Sequence, residues 1–215
     1  MIGMVLSELE RSPYADNTIV ALWSDHGWHL GEKRSWRKFT LWEESARTPM
    51  IIVDPRRTTS AGRSTSRPVG LIDLYPTLTD LCGLPTPPDL DGVSLHPLLD
   101  DPDADTPALR EAELTINGRG NCSLRDEQYR YTRYFDGSEE LYDHQLDPYE
   151  WTNLAYERAF DDVRAHYASL LPEESVPTME PRGFCWWADL DKDDMEQWRT
   201  NVWPKWLREA LPPLI

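Results

Sequence analysis

The 215-residue chain contains no apolar run approaching the about 20 residues that a membrane-spanning helix needs. Cysteine is scarce. Cys82, Cys122 and Cys185 are odd in number, far apart and without a CxxC spacing, which argues against a disulfide framework or a zinc cluster. Basic charge is also short: 22 Lys and Arg face 38 Asp and Glu, for a net charge of −16. A general binder of nucleic acid or of an anionic membrane would need a basic surface, so both are argued against. The first eight residues, Met1 to Glu8, lack the basic start and long apolar core of a secretory leader. What remains, with 40% hydrophobic and 28% charged residues, is the composition of a soluble globular protein.

One stretch, Asn17 to Lys38, organises the rest. It opens with Thr18-Ile19-Val20-Ala21-Leu22-Trp23, an apolar run without alternation. That pattern predicts a strand buried on both faces, as in a parallel sheet. The run stops at Ser24-Asp25-His26-Gly27, which places a carboxylate, an imidazole and a glycine at the strand's carboxyl end. Ligand sites of open α/β sheets lie there. Asp25 and His26 are therefore candidate metal ligands. Lys33, Arg34, Arg37 and Lys38 follow within six positions, suggesting a local positive pocket for a tetrahedral oxyanion in an otherwise acidic chain.

Around this stretch the periodicity predicts an amphipathic helix over 2–11, a second buried strand over 50–53, and a helix over 69–81 with Leu71, Leu74, Leu78 and Leu81 on its apolar face. Residues 56–68 read as a polar surface loop, and the acidic segment 100–107 as a boundary. Beyond it, residues 114–116, 122–124, 129–135 and 140–142 read as antiparallel strands with alternating faces. Asp136-Gly137 marks a hairpin turn. A helix is predicted over roughly 155–171. The predicted units are thus 1–107, 108–172 and a tail over 173–215. The tail carries five of the ten tryptophans and is expected to pack its aromatics onto the body.

Ser24-Asp25-His26-Gly27-Trp28-His29-Leu30-Gly31-Glu32, then Trp36-Arg37-Lys38 and Arg47-Thr48-Pro49-Met50-Ile51-Ile52, resemble the sulfatase family, and most closely its iduronate-2-sulfatase-like branch. Later segments agree in order: Leu71 to Leu78, Asp91 to Leu95, Glu140 to Asp143, and Asp147 to Leu154. The resemblance implies an α/β fold, namely part of an alkaline-phosphatase-like, mostly parallel sheet with flanking helices, followed by a small C-terminal antiparallel sheet and helix. It implies Asp25 and His26 as metal ligands, with calcium as the metal. Lys38 would be a catalytic and substrate-binding contact to sulfate. His29, in the glycine-bounded loop that follows the ligand pair, either stabilises that loop or makes a second substrate contact. The substrate implied is a sulfate ester, with a sulfated sugar as one such class. Family members are often periplasmic or secreted.

The sequence also departs from the family. Sulfatases use a formylglycine made within a C/S-x-P-x-R segment. Cys82 is followed by Gly83-Leu84-Pro85, Cys122 by Ser123-Leu124-Arg125, and Cys185 by Trp186-Trp187-Ala188, so none fits. The family's early Asp-Asp metal pair is absent as well. The expectation is a C-terminal portion without its nucleophile, inactive alone, with an apolar sheet edge free for association. Two alternatives stand beside it: a phosphoesterase or phosphonate hydrolase of the same superfamily, and a non-catalytic remnant or partner subunit.

Overall fold

A computed structural model describes residues 1–57, 59–106 and 109–173; the tryptophan-rich tail therefore falls outside the described residues. Helix α1, Ile2–Arg11, ends where Ser12 turns extended, and it buries none of its residues. A single 3-10 turn, Ala15–Asn17, leads into strand β1, Val20–Trp23. Two short strands follow, β2 at His29–Leu30 and β3 at Trp36–Arg37, which pair with each other as a tight hairpin. Helix α2 is one turn, Glu43–Ala46, stopped where Arg47 turns extended, two residues before Pro49. Strand β4 is Met50–Val53.

The pairing of β1 differs from expectation. It lies antiparallel to β4, with Val20 opposite Val53 and Trp23 opposite Met50, in a two-stranded sheet. Nor are these strands buried on both faces: Trp23 is 51%, Ile51 54% and Val53 50% exposed. The physical reason is the lack of a second covering layer among the described residues. Met50 and Ile52 turn inward, while Ile51 and Val53 face outward. The unbroken apolar sequence suits two covered faces, and only one is covered.

The predicted helix over 69–81 starts later, as α3, Leu74–Leu81, because Leu71–Asp73 form a 3-10 turn instead. Pro76 falls early in α3, where a missing N–H is tolerated. The carboxylate of Asp73, buried, accepts from the Gly70 N–H (2.9 Å), the Val93 N–H (2.8 Å) and Arg110 (2.5 Å). One side chain thus ties the start of α3 to the Asp91-Gly92-Val93 segment and to the entry of the second sheet. Helix α4, His96–Asp100, closes this part, and the Leu95 N–H before it is held by Thr77 Oγ1 at 2.8 Å.

Strands β5 (Glu113–Ile116), β6 (Cys122–Arg125), β7 (Tyr129–Arg133) and β8 (Glu139–Asp143) form an antiparallel meander in sequence order. Helix α5, Asp161–Leu170, starts later than the 155 predicted because a 3-10 turn, Arg158–Phe160, precedes it. The register places Leu124, Tyr131 and Leu141 side by side on one face. Together with Ala155, Tyr167 and Leu171 they make the main apolar core. The opposite face carries Ser123, Arg130, Thr132 and Tyr142, which are buried too. Lys33, Leu41, Trp42 and Glu43 of the site-bearing segment pack onto this face. Among the described residues, no helix is long and apolar enough to cross a membrane.

Candidate functional site

The site is built where β1 ends. The Ser24 hydroxyl donates to the His26 carbonyl at 2.9 Å, curling the turn, and the Gly27 N–H donates to the Ser45 carbonyl at 2.8 Å. Glycine is required at position 27 by proximity. A Cβ there would stand 2.1 Å from the Glu44 carbonyl oxygen and 2.7 Å from that of Arg47. The turn is therefore pressed directly onto the backbone of α2.

His26 is set by this turn. Its Nδ1 lies 2.6 Å from the Gly27 carbonyl oxygen, which can only accept, so Nδ1 carries the proton. Nε2 then presents a lone pair. It receives the Lys38 ammonium at 2.7 Å and faces Asp25 Oδ2 at 3.3 Å. The Asp25 side chain is 78% exposed and that of His26 27%, so both donors open to solvent. An imidazole whose other nitrogen donates to a backbone carbonyl is the usual arrangement of a metal-binding histidine. The donor set fits two ligands of a divalent cation, one hard oxygen and one borderline nitrogen.

The structure brings Asp25, His26 and Lys38 together and leaves His29 apart. His29 has no exposed surface; its Nε2 bonds Thr40 Oγ1 at 2.7 Å and its ring meets Trp42 edge-on. In this conformation it pins the loop, one of the two roles its position allowed. The expected cluster of four cations is also divided. Arg34 and Arg37 are exposed and Lys38 turns to His26, whereas Lys33 turns away toward the second sheet. Its ammonium lies 4.3 Å from the Trp42 ring centroid and 4.2 Å from that of Tyr142, donating to the Tyr142 hydroxyl at 2.9 Å and the Glu150 carbonyl at 2.7 Å. Burial pushes the Lys33 ammonium below its ordinary pKa, although Glu140 and Glu150 pull it back.

The backbone between these two lysines is strained. Lys33, Arg34, Arg37 and Phe39 all have positive φ, at 51°, 58°, 78° and 76°. Non-glycine residues persist in that region only where the surroundings impose it. Here the polar face of the meander does so. Arg130, 2% exposed, reaches the Leu41 carbonyl at 3.2 Å, Ser123 Oγ at 3.1 Å, Glu150 at 2.7 Å, and also Glu43. Trp42 Nε1 donates to Glu140 at 2.8 Å, and the Glu43 N–H to Glu150 at 3.0 Å. Burial pushes the Glu43 carboxyl up, but Arg130 pulls it down further, leaving it below the ordinary carboxylate range. Glu150 is also net lowered, with burial opposed by His144 and Arg130. Oxygen and nitrogen atoms of Glu43, His144 and Glu150 lie within 4.8 Å of one another. The Arg130 guanidinium pairs with both carboxylates, which makes this trio an ion-pair joint.

Sequence reasoning missed Lys33, Glu43, Arg130 and Glu150 as supports of the site. Their partners lie 87 to 117 residues away along the chain, and no local pattern encodes that. The available signal was the placement of charges within strands and turns that were otherwise identified correctly.

Residues 31–176 match the family described as N-sulphoglucosamine sulphohydrolase, C-terminal. A sulfatase of Formosa agariphila is 37% identical over 177 residues, covering 81% of this chain and 34% of that protein. Arylsulfatase K of Rattus norvegicus is 33% identical over 169 residues, covering 73% of this chain and 30% of that protein. Among solved structures, BT4656 in complex with its substrate D-glucosamine-2-N,6-O-disulfate aligns with a TM-score of 0.68 and 26% identity, over 79% of this chain and 36% of that one. The phosphonate monoester hydrolase of Agrobacterium radiobacter aligns with a TM-score of 0.68 and 27% identity, over 79% and 37%. The fold is thus of the sulfatase and alkaline-phosphatase-like α/β kind, and the chain spans about a third of the length of the relatives it matches. With the match covering most of its described residues, the chain belongs to the sulfatase family, within the region that forms the C-terminal part of N-sulphoglucosamine sulphohydrolases.

Proposed function

We propose that this chain supplies part of the catalytic centre of a sulfuric ester hydrolase, with Asp25 and His26 as ligands of a divalent cation and Lys38 as the contact to the sulfate. The observation that carries this reading is the convergence of Asp25 Oδ2 and Lys38 Nζ on His26 Nε2, at 3.3 and 2.7 Å. Calcium is the metal assigned, following the sulfatase resemblance, and the iduronate-2-sulfatase-like motifs guide the choice of branch. When bound, the cation offsets negative charge on the sulfate and on the attacking oxygen. The rest is done by the chain's own groups. The Gly27 carbonyl fixes the His26 ring through Nδ1 and aims Nε2 at the site, where it accepts from Lys38 in this structure and would take the cation once the Lys38 ammonium turns to the sulfate. The Lys38 ammonium donates to a sulfate oxygen and stabilises charge that grows as the ester bond breaks. The formylglycine nucleophile is assigned to polypeptide outside these 215 residues, because none of the three cysteines opens a C-x-P-x-R segment.

The substrate class assigned is a sulfated sugar; the structurally similar BT4656 takes a disulfated glucosamine. The likeness to a phosphonate monoester hydrolase supports a second reading, in which the same groups hold a phosphonate oxyanion. Two measurements test the proposal. Calcium should raise the unfolding midpoint of the 215-residue chain, and Asp25→Ala should abolish the rise. In the complete enzyme, Lys38→Met should lower kcat/KM for a sulfate ester by about 10²-fold or more. Turnover of an aryl sulfate by the 215-residue chain alone would overturn the assignment of the nucleophile elsewhere. A stronger effect on phosphonate than on sulfate esters would favour the second reading.

A further inference from the structure

Lys38 lies in a short segment held at both ends by one surface, the polar face of the C-terminal meander. On the near side, Gly31 and Ser35 close the hairpin tip through a 3.1 Å backbone bond, and Lys33 within that tip reaches the meander. On the far side, the Phe39 carbonyl accepts from Asn117 Nδ2 at 2.8 Å and the Leu41 carbonyl from Arg130 at 3.2 Å. The two residues flanking Lys38 are both left-handed, which neither Arg37 nor Phe39 would choose unaided. The near-side anchor is a single cation between two aromatic rings, with two hydrogen bonds to groups 109 and 117 residues distant. A partly desolvated ammonium between ring faces is a strong and directional anchor.

We propose that Lys33 is a positioning residue for Lys38: its clasp between Trp42, Tyr142 and the Glu150 carbonyl holds the strained hairpin in the one conformation that brings the Lys38 ammonium against His26 Nε2. The C-terminal sheet thereby acts as a buttress for the site and contributes no group to it. The functional consequence rests on the reading of Lys38 as the sulfate contact, but the geometric claim does not.

The test uses the 215-residue chain with ¹⁵N-labelled histidine and follows the His26 ring nitrogens by NMR. Lys33→Met keeps the length of the stem and deletes the charge. It should shift the Nε2 signal toward that of Lys38→Met, as the ammonium leaves the ring. Lys33→Arg keeps a cation that stacks on aromatic faces and should restore the wild-type signal. Tyr142→Phe, which removes only the hydroxyl that Lys33 reaches, should give a smaller shift in the same direction; it serves as the deciding variant if Lys33→Met does not fold. A wild-type His26 spectrum in Lys33→Met, or equal shifts in Lys33→Met and Lys33→Arg, would overturn the proposal. A shift in Lys33→Met together with an unimpaired complete enzyme bearing Lys38→Met would uphold the positioning and refute Lys38 as the sulfate contact.

Discussion

Gly27 shows how little space separates the site from its support. Its φ is not the constraint. The constraint is contact, with the Glu44 carbonyl 2.1 Å from where a Cβ would lie. Both the ring of His26 and the turn onto α2 depend on this residue, through its carbonyl oxygen and its N–H respectively. Gly27→Ala is therefore expected to displace the backbone, costing about 1–3 kcal/mol as overpacking does. It should also release His26 Nδ1. Thermal unfolding measures the first effect and the His26 ring nitrogen shifts measure the second. A variant with both unchanged would show that the turn can retreat from α2 freely. Asp73 illustrates the same economy in a residue without chemistry, one buried carboxylate closing three separate backbone and side-chain donors.

At the scale of elements, the meander has two jobs on two faces. Its apolar face makes the core with α5, and its polar face holds the loop of Lys38. The strands themselves were legible, because Tyr129 to Arg133 alternates and Asp136-Gly137 marks the turn, where Gly137 adopts φ 83°. The role of the alternate face was not. Arg130 and Thr132 have the polarity of a solvated surface, yet they are 2% and 0% exposed. Their burial depends on a segment about ninety positions earlier. The turn bearing Asp25 and His26 was legible for the opposite reason, since a strand end and its ligands are adjacent in sequence. The sequence left two roles open for His29, because a histidine in a glycine-bounded loop gives no local sign of whether it faces inward. The core face yields a direct prediction. Leu141 has no exposed surface and packs in the main cluster, so Leu141→Ala should destabilise the chain by about 2–5 kcal/mol. Denaturant unfolding should show this as a lower midpoint. An unchanged midpoint would mean that the meander is not what holds the described residues together.

At the scale of the whole molecule, apolar surface is unevenly distributed. Strands β6, β7 and β8 bury Leu124, Tyr131, Leu141 and Tyr142, whereas Ile116 on the edge strand β5 and much of the apolar surface of α1, β1 and β4 stay open. Met4 and Val5 of α1 are 73% and 70% exposed, although the helix is amphipathic. Trp23, Ile51 and Val53 project from a two-stranded sheet whose outer edges are unpaired among the described residues. Long open edges with apolar side chains pair with other chains unless charge or cover prevents it. The net charge of −16 opposes close approach of two copies, and salt screens that repulsion. The 215-residue chain is therefore expected to associate, and to do so more strongly as salt is raised. Sedimentation velocity over a range of protein and salt concentrations would detect this, and Ile51→Lys, placing a charge on the outward face of β4, should reduce it. A monomer that unfolds cooperatively at all salt concentrations would show that this surface is tolerated bare, and that the apolar run of β1 and β4 has no covering partner to explain it.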